Sequence, residues 1–226
     1  MPIGTIVNAI AVLIGSAIGL VLHDRLPAQV KAIVFQGLGL STIVIGVKMA
    51  LNFESLIPLV FSVLIGGISG ECIRLEERLE AAGAFCKSRV RSNNPRFSEG
   101  MITAFIIFCV GSMTIVGTID EGLRGNPSLL YTKSILDGFA SIALASTYGI
   151  GVLFSVVPLV IFQGGLTLLA SQAQHLFTPS VINQLTAVGG VLLVGLAFNL
   201  LEIRKINVTN MLPALPAVVI LTLLFP

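Results

Sequence analysis

Charge is what this sequence has least of. Only 11% of its 226 residues are Asp, Glu, Lys or Arg, whereas a soluble domain carries about a quarter. So few charges cannot cover a water-facing surface of this length, which excludes a soluble enzyme or a secreted domain. The net charge is only +2 and no basic run is interleaved with aromatics, so nucleic acid is not an expected partner. Cysteine is scarce as well: Cys72, Cys86 and Cys109 form no CxxC pair and have no His beside them. Neither a disulfide framework nor a zinc site is expected from them. His23 and His175 fall in loops, and HExxH, Walker and GxSxG patterns are all missing. No enzymatic activity, cofactor or metal is therefore expected. The start, Met1-Pro2-Ile3-Gly4, lacks a basic region before its apolar stretch, so that stretch reads as a retained span rather than a cleaved signal.

What fills the chain instead is apolar sequence. Fifty-five per cent of residues are apolar, the mean hydropathy is +0.99, and about 20 such residues in a helix cross a bilayer core. Eight segments can be drawn, at 3–22, 32–51, 54–72, 99–118, 134–152, 156–173, 180–201 and 211–225. The expectation is an all-α polytopic transmembrane bundle of about eight spans, forming one integral domain over 1–226. The run from Ser134 to Ser171 carries only Asp137, but as one helix it would be about 57 Å long, too long for a bilayer. A break near Gly149, Gly151 and Pro158 divides it, with the proline in the first turn of the second span.

Eight spans sort the basic residues strongly. Arg25, Lys31, Arg74, Arg78, Lys87, Arg89, Arg91, Arg96, Arg204 and Lys205 fall on one side. Lys48, Arg124 and Lys133 fall on the other. The positive-inside rule makes the first side cytoplasmic and puts both termini outside. Residues 73–98 form the longest polar stretch. Leu75 and Leu79 stand four apart among Glu76, Glu77, Arg78 and Glu80, which predicts an amphipathic cytoplasmic connector ending at Ser92-Asn93-Asn94-Pro95.

A weak internal repeat runs through the chain. Residues 40–51 lie over 189–200, bringing Gly46 onto Gly195, and the same shift brings Gly15 onto Gly164. After an insertion, Asn52 meets Asn207 and Pro58 meets Pro213. Spans one to three would then match spans six to eight in inverted orientation, a construction typical of secondary transporters.

Glycines at Gly15 and Gly19, Gly66 and Gly70, Gly164 and Gly165, and Gly189 and Gly190 are spaced for close helix packing. A second copy of the chain, packing through Gly66 and Gly70, is one partner this spacing allows. The most polar apolar region carries Ser112, then Asp120 and Glu121, then Lys133, Asp137 and Ser141 at four-residue intervals. Those last three share one helical face, and Lys133 and Asp137 are within reach of each other. An ionisable group inside a span is a functional candidate; the alternative is that 133–137 lies at the outer interface, where charge costs little. Asn8, Gln163 and Asn199 are uncharged polar residues in apolar runs, suited either to a substrate or to interhelical hydrogen bonds.

The stretch with GSM at 111–113, KSILDG at 133–138, LAS at 144–146, GIGV at 149–152 and FQGG at 162–165 resembles the domain of unknown function 554 family. GTIVN at 4–8, NLLEI at 199–203 and NMLPALP at 210–216 extend the resemblance over the whole chain. It implies a multi-spanning bacterial membrane protein. Where that family's pattern reads closer to Gln-Asp-Gly, this chain has Asp120-Glu121-Gly122.

The expected function is secondary transport of a small solute or ion across the bacterial cytoplasmic (inner) membrane. The site would lie between spans one, four, five, six and seven. Asp137 would accept a proton or cation, with Lys133 and Ser141 on its face, and Ser112, Gln163, Asn199 and Asn8 would supply hydrogen bonds. The lipid bilayer and the transported solute or ion are the expected partners. The alternative from another class is a membrane scaffold or sensor that binds a partner through 73–98.

Overall fold

In the computed structural model the described residues are predominantly helical, as an apolar chain in lipid requires. Hydrocarbon cannot satisfy backbone N–H and C=O groups, and a helix satisfies its own. The structure describes residues 2–23, 27–90, 94–109, 112–172 and 178–224, with no strand among them. In chain order the helices are α1 (Ile3–His23), α2 (Ala28–Ala50), α3 (Leu56–Cys72), α4 (Leu75–Val90), α5 (Phe97–Cys109) and α6 (Ser112–Arg124). They continue with α7 (Ser128–Tyr148), α8 (Gly151–Phe154), α9 (Val156–Gln172) and α10 (Pro179–Leu200). A 3-10 turn at Val208–Met211 then leads into α11 (Ala214–Leu224).

Three stretches, Ile3–Leu22, Gly151–Ala170 and Pro179–Leu200, are each long and apolar enough to cross a membrane. Two more qualify as bent pairs: Leu56–Cys72 with Leu75–Ala81 at 56°, and Phe97–Cys109 with Met113–Arg124 at 59°. Length and composition among the described residues thus support three to five spans, alongside shorter apolar helices at Gly39–Ala50 and Val208–Leu224. The division of the 134–171 run falls at Gly149, whose φ of 78° ends α7 while its N–H bonds the Ala145 carbonyl. Pro158 lies in the first turn of α9. The connector at 75–90 is helical, with Leu75 and Leu79 half-buried and Glu77, Arg78 and Glu80 exposed.

The start of α7 differs from the expected 134–152 boundary. The Asn126 side chain accepts hydrogen bonds from the Ser128 backbone N–H (3.2 Å) and hydroxyl (2.7 Å), and the helix begins at Ser128. An Asx turn followed by a helix is a local side-chain effect, invisible to a hydropathy window. Its consequence is that Asp137 stands nine residues into a 21-residue helix, about 14 Å from its start at 1.5 Å per residue.

The chain divides into two compact units: residues 1–34, 79–109 and 113–172, and residues 35–78, 110–112 and 173–226. In the first unit, α1 lies along α7 over nearly its whole length. A Cβ at Gly4 would strike the Leu130 side chain. At Gly15 it would strike the Gly138 carbonyl and Ser141 hydroxyl, and at Gly19 the Ile142 carbonyl and Ala145. Contacts advance together along both helices, so α1 and α7 run parallel. Small residues let the two backbones meet, the usual means of helix association in lipid. The opposite face of α1 presents Ile6, Ile10, Ile14 and Ile18, each about half exposed, a stripe suited to lipid. Near the far end of α7, Gly151 abuts the Phe97 carbonyl and Gly100 abuts Tyr148. There the Asn94 amide donates to the Tyr148 carbonyl at 2.8 Å.

In the second unit, α10 is buried along most of its length, and α2 packs on it where Gly46 meets Gly190 and Val194. Gly39 meets Leu201, so this pair runs antiparallel. The pair α3 and α11 is also antiparallel along its connecting turn, with Gly66 against Ala214 and Gly70 against Asn210. Two clusters tie the loops of this unit. Asn183 donates to Glu54 at 2.6 Å and Gln184 to the Ser55 carbonyl at 2.7 Å. Asn210 donates to Glu71 at 2.6 Å and accepts from the Glu76 N–H at 2.7 Å, while Lys205 pairs with Glu76 at 3.2 Å.

Candidate functional site

Four of the polar residues singled out by their apolar surroundings meet in the first unit. Lys133 and Asp137, one turn apart on α7, form an ion pair through Asp137 Oδ2. Asn8 reaches across from α1 and donates Nδ2 to the same carboxylate oxygen at 3.0 Å. The same Nδ2 donates to Gln163 Oε1 of α9, also at 3.0 Å. All four are buried: Asn8 and Gln163 are 0% exposed, Lys133 4% and Asp137 8%. The pair is thus covered by protein rather than open to the surface.

Local structure explains the meeting. Four-residue spacing stacks Lys133 and Asp137 on one face of α7, and the parallel seam of Gly4, Gly15 and Gly19 presses that face onto α1. Asn8 lies on the same seam, between Gly4 and Gly15. The Phe108 ring, 0% exposed, lies 6.0 Å from Lys133 Nζ, so an aromatic face adjoins the ammonium. Cys109 next to it is buried with its thiol free. Ser141, one turn beyond Asp137, donates to the Gly138 carbonyl at 2.8 Å and fills the contact with Gly15. Its hydroxyl is thus engaged within the helix seam.

The hydrogen bonds of the cluster do not close. Asn8 Oδ1 and Gln163 Nε2 are buried and find no partner among the described residues, nor does the Thr5 hydroxyl, one turn before Asn8. An acceptor, a donor and a hydroxyl that can be either thus flank a charged pair. Such groups are costly to bury unsatisfied, and a water or another polar species between them would satisfy them.

The other expected residues lie elsewhere. Ser112 heads α6, and its side chain lies outside the described residues, as do those of His23, His175 and Cys86. Asn199 belongs to the second unit, where it donates to the Ile206 carbonyl at 2.8 Å and accepts from the Ile206 N–H at 2.7 Å. It clamps the turn after α10. One residue noted in the sequence but given no role there is Glu121. It is 6% exposed, and its Oε1 accepts from the Gly4 N–H at 2.7 Å at the start of α1. Its neighbour Asp120 is engaged differently, with Arg124 at 3.4 Å and Asn126 at 2.9 Å. Adjacent acids look alike in sequence; a stripe of Thr114, Thr118 and Glu121 at helical spacing was the available signal. Among the described residues no three His, Cys, Asp or Glu side chains gather as a metal site would require.

The family described as "Protein of unknown function (DUF554)" matches residues 3–223. The chain is 34% identical over 224 residues to the "Uncharacterized membrane protein YdfK" of Bacillus subtilis, covering 96% of this chain and 95% of that protein. It is also 34% identical over 220 residues to the "Uncharacterized protein YqgA" of Escherichia coli, covering 95% and 94% respectively. No solved structure matches.

Proposed function

This chain belongs to the DUF554 family of membrane proteins, and from that premise we propose that it is a secondary transporter of a small solute or ion in the bacterial cytoplasmic membrane. The observation that carries the reading is the buried Lys133–Asp137 pair with Asn8 and Gln163 around it. A structural fastener needs no charge inside a bundle, because apolar or small residues pack as well without the desolvation penalty. A carboxylate held by one ammonium and one amide can instead exchange partners, taking a proton or cation while the ammonium lets go. Secondary transport is favoured over pumping because the sequence has no nucleotide-binding loop.

The loop contacts support eight crossings with both termini outside. Each contact joins loops that this topology puts on one side: within the first unit Gly4 bonds Glu121, and within the second Glu54 and Ser55 bond Asn183 and Gln184. The same holds at the other ends, where Asn94 bonds Tyr148 within the first unit and Glu71 and Glu76 engage Asn210 and Lys205 within the second. The parallel course of α1 and α7 fits an odd number of crossings between them, which α2, α3 and the bent α5–α6 pair would supply in that topology. The inverted repeat also finds support: its counterparts α2 and α10, and α3 and α11, pack on each other antiparallel.

Purified protein in liposomes with a trapped pH dye, under an imposed potassium diffusion potential and with sodium or potassium gradients, tests the reading. Wild type should carry proton or cation flux, and Asp137→Asn should lower it at least tenfold while remaining monodisperse. Equal flux in Asp137→Asn, or none in wild type under any of these gradients, would refute it and turn attention to α4 as a partner-binding segment.

A further inference from the structure

We infer that Glu121 is the group through which the Lys133–Asp137 pair exchanges protons with the outer face, by way of water held between Thr5, Asn8 and Gln163. The inference rests on the transport reading and names its coupling species as the proton. Buried atoms without partners among the described residues include Thr5 Oγ1 and Asn8 Oδ1 on the first turns of α1, and Glu121 Oε2 of α6 and Gln163 Nε2 of α9, whose side chains bond to residues of those turns; Ser16 Oγ, farther along α1, and Gln184 Oε1 of the second unit are also unpaired. Glu121 is bonded to Gly4, the residue before Thr5. Asn8 is one turn further in, and touches both Gln163 and Asp137. The file thus runs from the end of α1 to the carboxylate of the ion pair, about 6 Å of helix rise between Gly4 and Asn8.

Space accompanies the unpaired atoms. Gly164, next to Gln163, is buried, yet a Cβ there would meet only Thr5 Cγ2, at 3.8 Å. Gly4, Gly15 and Gly19 on the neighbouring seam are by contrast packed to collision. A buried water needs two to four polar partners, and Thr5, Asn8 and Gln163 offer a hydroxyl, an acceptor and a donor. In the transfer, the carboxylic proton leaves Glu121 for the first water, and the water file delivers a proton to the Asp137 carboxylate. Glu121 is left as a carboxylate held by the Gly4 N–H at the positive end of α1, and a proton from the outer solution restores it. The charges facing this path are few. Asp120 and Arg124 on α6 are paired with each other, Lys133 and Asp137 lie inward on α7 with the buried Cys109 thiol of α5 beside them, and among the described residues α1 and α9 bring no ionisable side chain between them and Glu121.

The test uses the full-length protein in liposomes. Glu121→Gln keeps an oxygen for the Gly4 N–H but carries no exchangeable acid proton. Proton flux should fall at least tenfold in Glu121→Gln, with Tm within a few degrees of wild type. Gly164→Ala should slow it by filling the gap, and Gly165→Ala, which meets nothing within 4 Å, should not. Wild-type flux in Glu121→Gln overturns the relay and leaves the transport reading standing. If wild type carries sodium or potassium flux but no proton flux, the relay is overturned while transport stands; if it carries neither, transport fails, and deuterium exchange of the Asn8 and Gln163 side-chain amides decides the water path. Exchange at least tenfold faster in wild type than in Gly164→Ala and Glu121→Gln supports it. Protection in wild type equal to that of mid-helix backbone amides overturns it.

Discussion

Removing one member of the Lys133–Asp137 pair should destabilise the protein more than removing both charges. Lys133→Met leaves the Asp137 carboxylate buried with one donor, Asn8 Nδ2 at 3.0 Å. Asp137→Asn leaves the Lys133 ammonium buried beside the Phe108 ring. Breaking a buried pair from either side costs about 3–5 kcal/mol, because the remaining charge is uncompensated. The double variant Lys133→Met with Asp137→Asn carries no buried charge and retains an amide partner for Asn8, so it should lose only about 1–2 kcal/mol. The coupling between the sites is then about 4 kcal/mol or more, far above the few tenths expected of independent positions. For a chain of this size about 2–4 °C of Tm accompanies each kcal/mol. Each single variant should therefore melt roughly 10 °C lower, and the double within roughly 5 °C of wild type. A thiol-reactive dye reporting the fully buried Cys109, in a background with Cys72→Ser and Cys86→Ser, reads the transition in detergent. Single variants within about 2 °C of wild type, or a double equal to the sum of the singles, would show that the two buried charges are not coupled.

The glycine seam makes a second prediction. Gly15→Ala and Gly19→Ala drive a Cβ into backbone carbonyls of α7 and should cost about 1–3 kcal/mol each. Gly165→Ala meets open space and should be neutral or gain up to about 1 kcal/mol of helix propensity; the same melting assay ranks them. Asn210→Ala removes hydrogen bonds to Glu71 and to the Glu76 backbone, a loss of about 2 kcal/mol at about 1 kcal/mol each. Its effect should be visible as faster backbone deuterium exchange at 73–76 and 208–211. Outside the spans, hydrogen bonds from Ser180 and then Asn183 hold the Glu54 carboxyl below the ordinary glutamate range. Its folded value lies below its unfolded one, so this contribution is present above the unfolded value and is lost as pH falls through the folded one. Carbon-detected NMR titration of Glu54 should show an upward shift on Ser180→Ala or Asn183→Ala, and no shift would discard this account.

Much of the helical layout was legible because hydropathy is a local property. Each apolar segment drawn from the sequence corresponds to a helix or a bent helix pair, Gly149 ends α7 as its lack of a Cβ allows, and the Leu75–Leu79 pattern reappears as amphipathic α4. Asn8, Lys133, Asp137 and Gln163 stood out because polar groups in apolar runs are costly and therefore conspicuous. The boundary of α7 was missed because Asn126 starts it through two side-chain hydrogen bonds, which no average over residues registers. Asn199 stood out for the same reason as Asn8, yet it serves a turn. Composition cannot tell a polar side chain that bonds its own loop from one that bonds another helix.

The sequence by itself determined that the protein lives in lipid, that it is built of helices, and which few side chains carry polarity into them. These follow from the transfer cost of single residues, which depends on identity and not on neighbours. Only the tertiary structure decided that α1 lies parallel on α7, that Asn8 therefore meets Asp137 and Gln163, and that Glu121 caps α1 while Asp120 turns to Arg124. Those outcomes depend on which small residues let two particular backbones approach, and that is a property of pairs of surfaces rather than of any one residue.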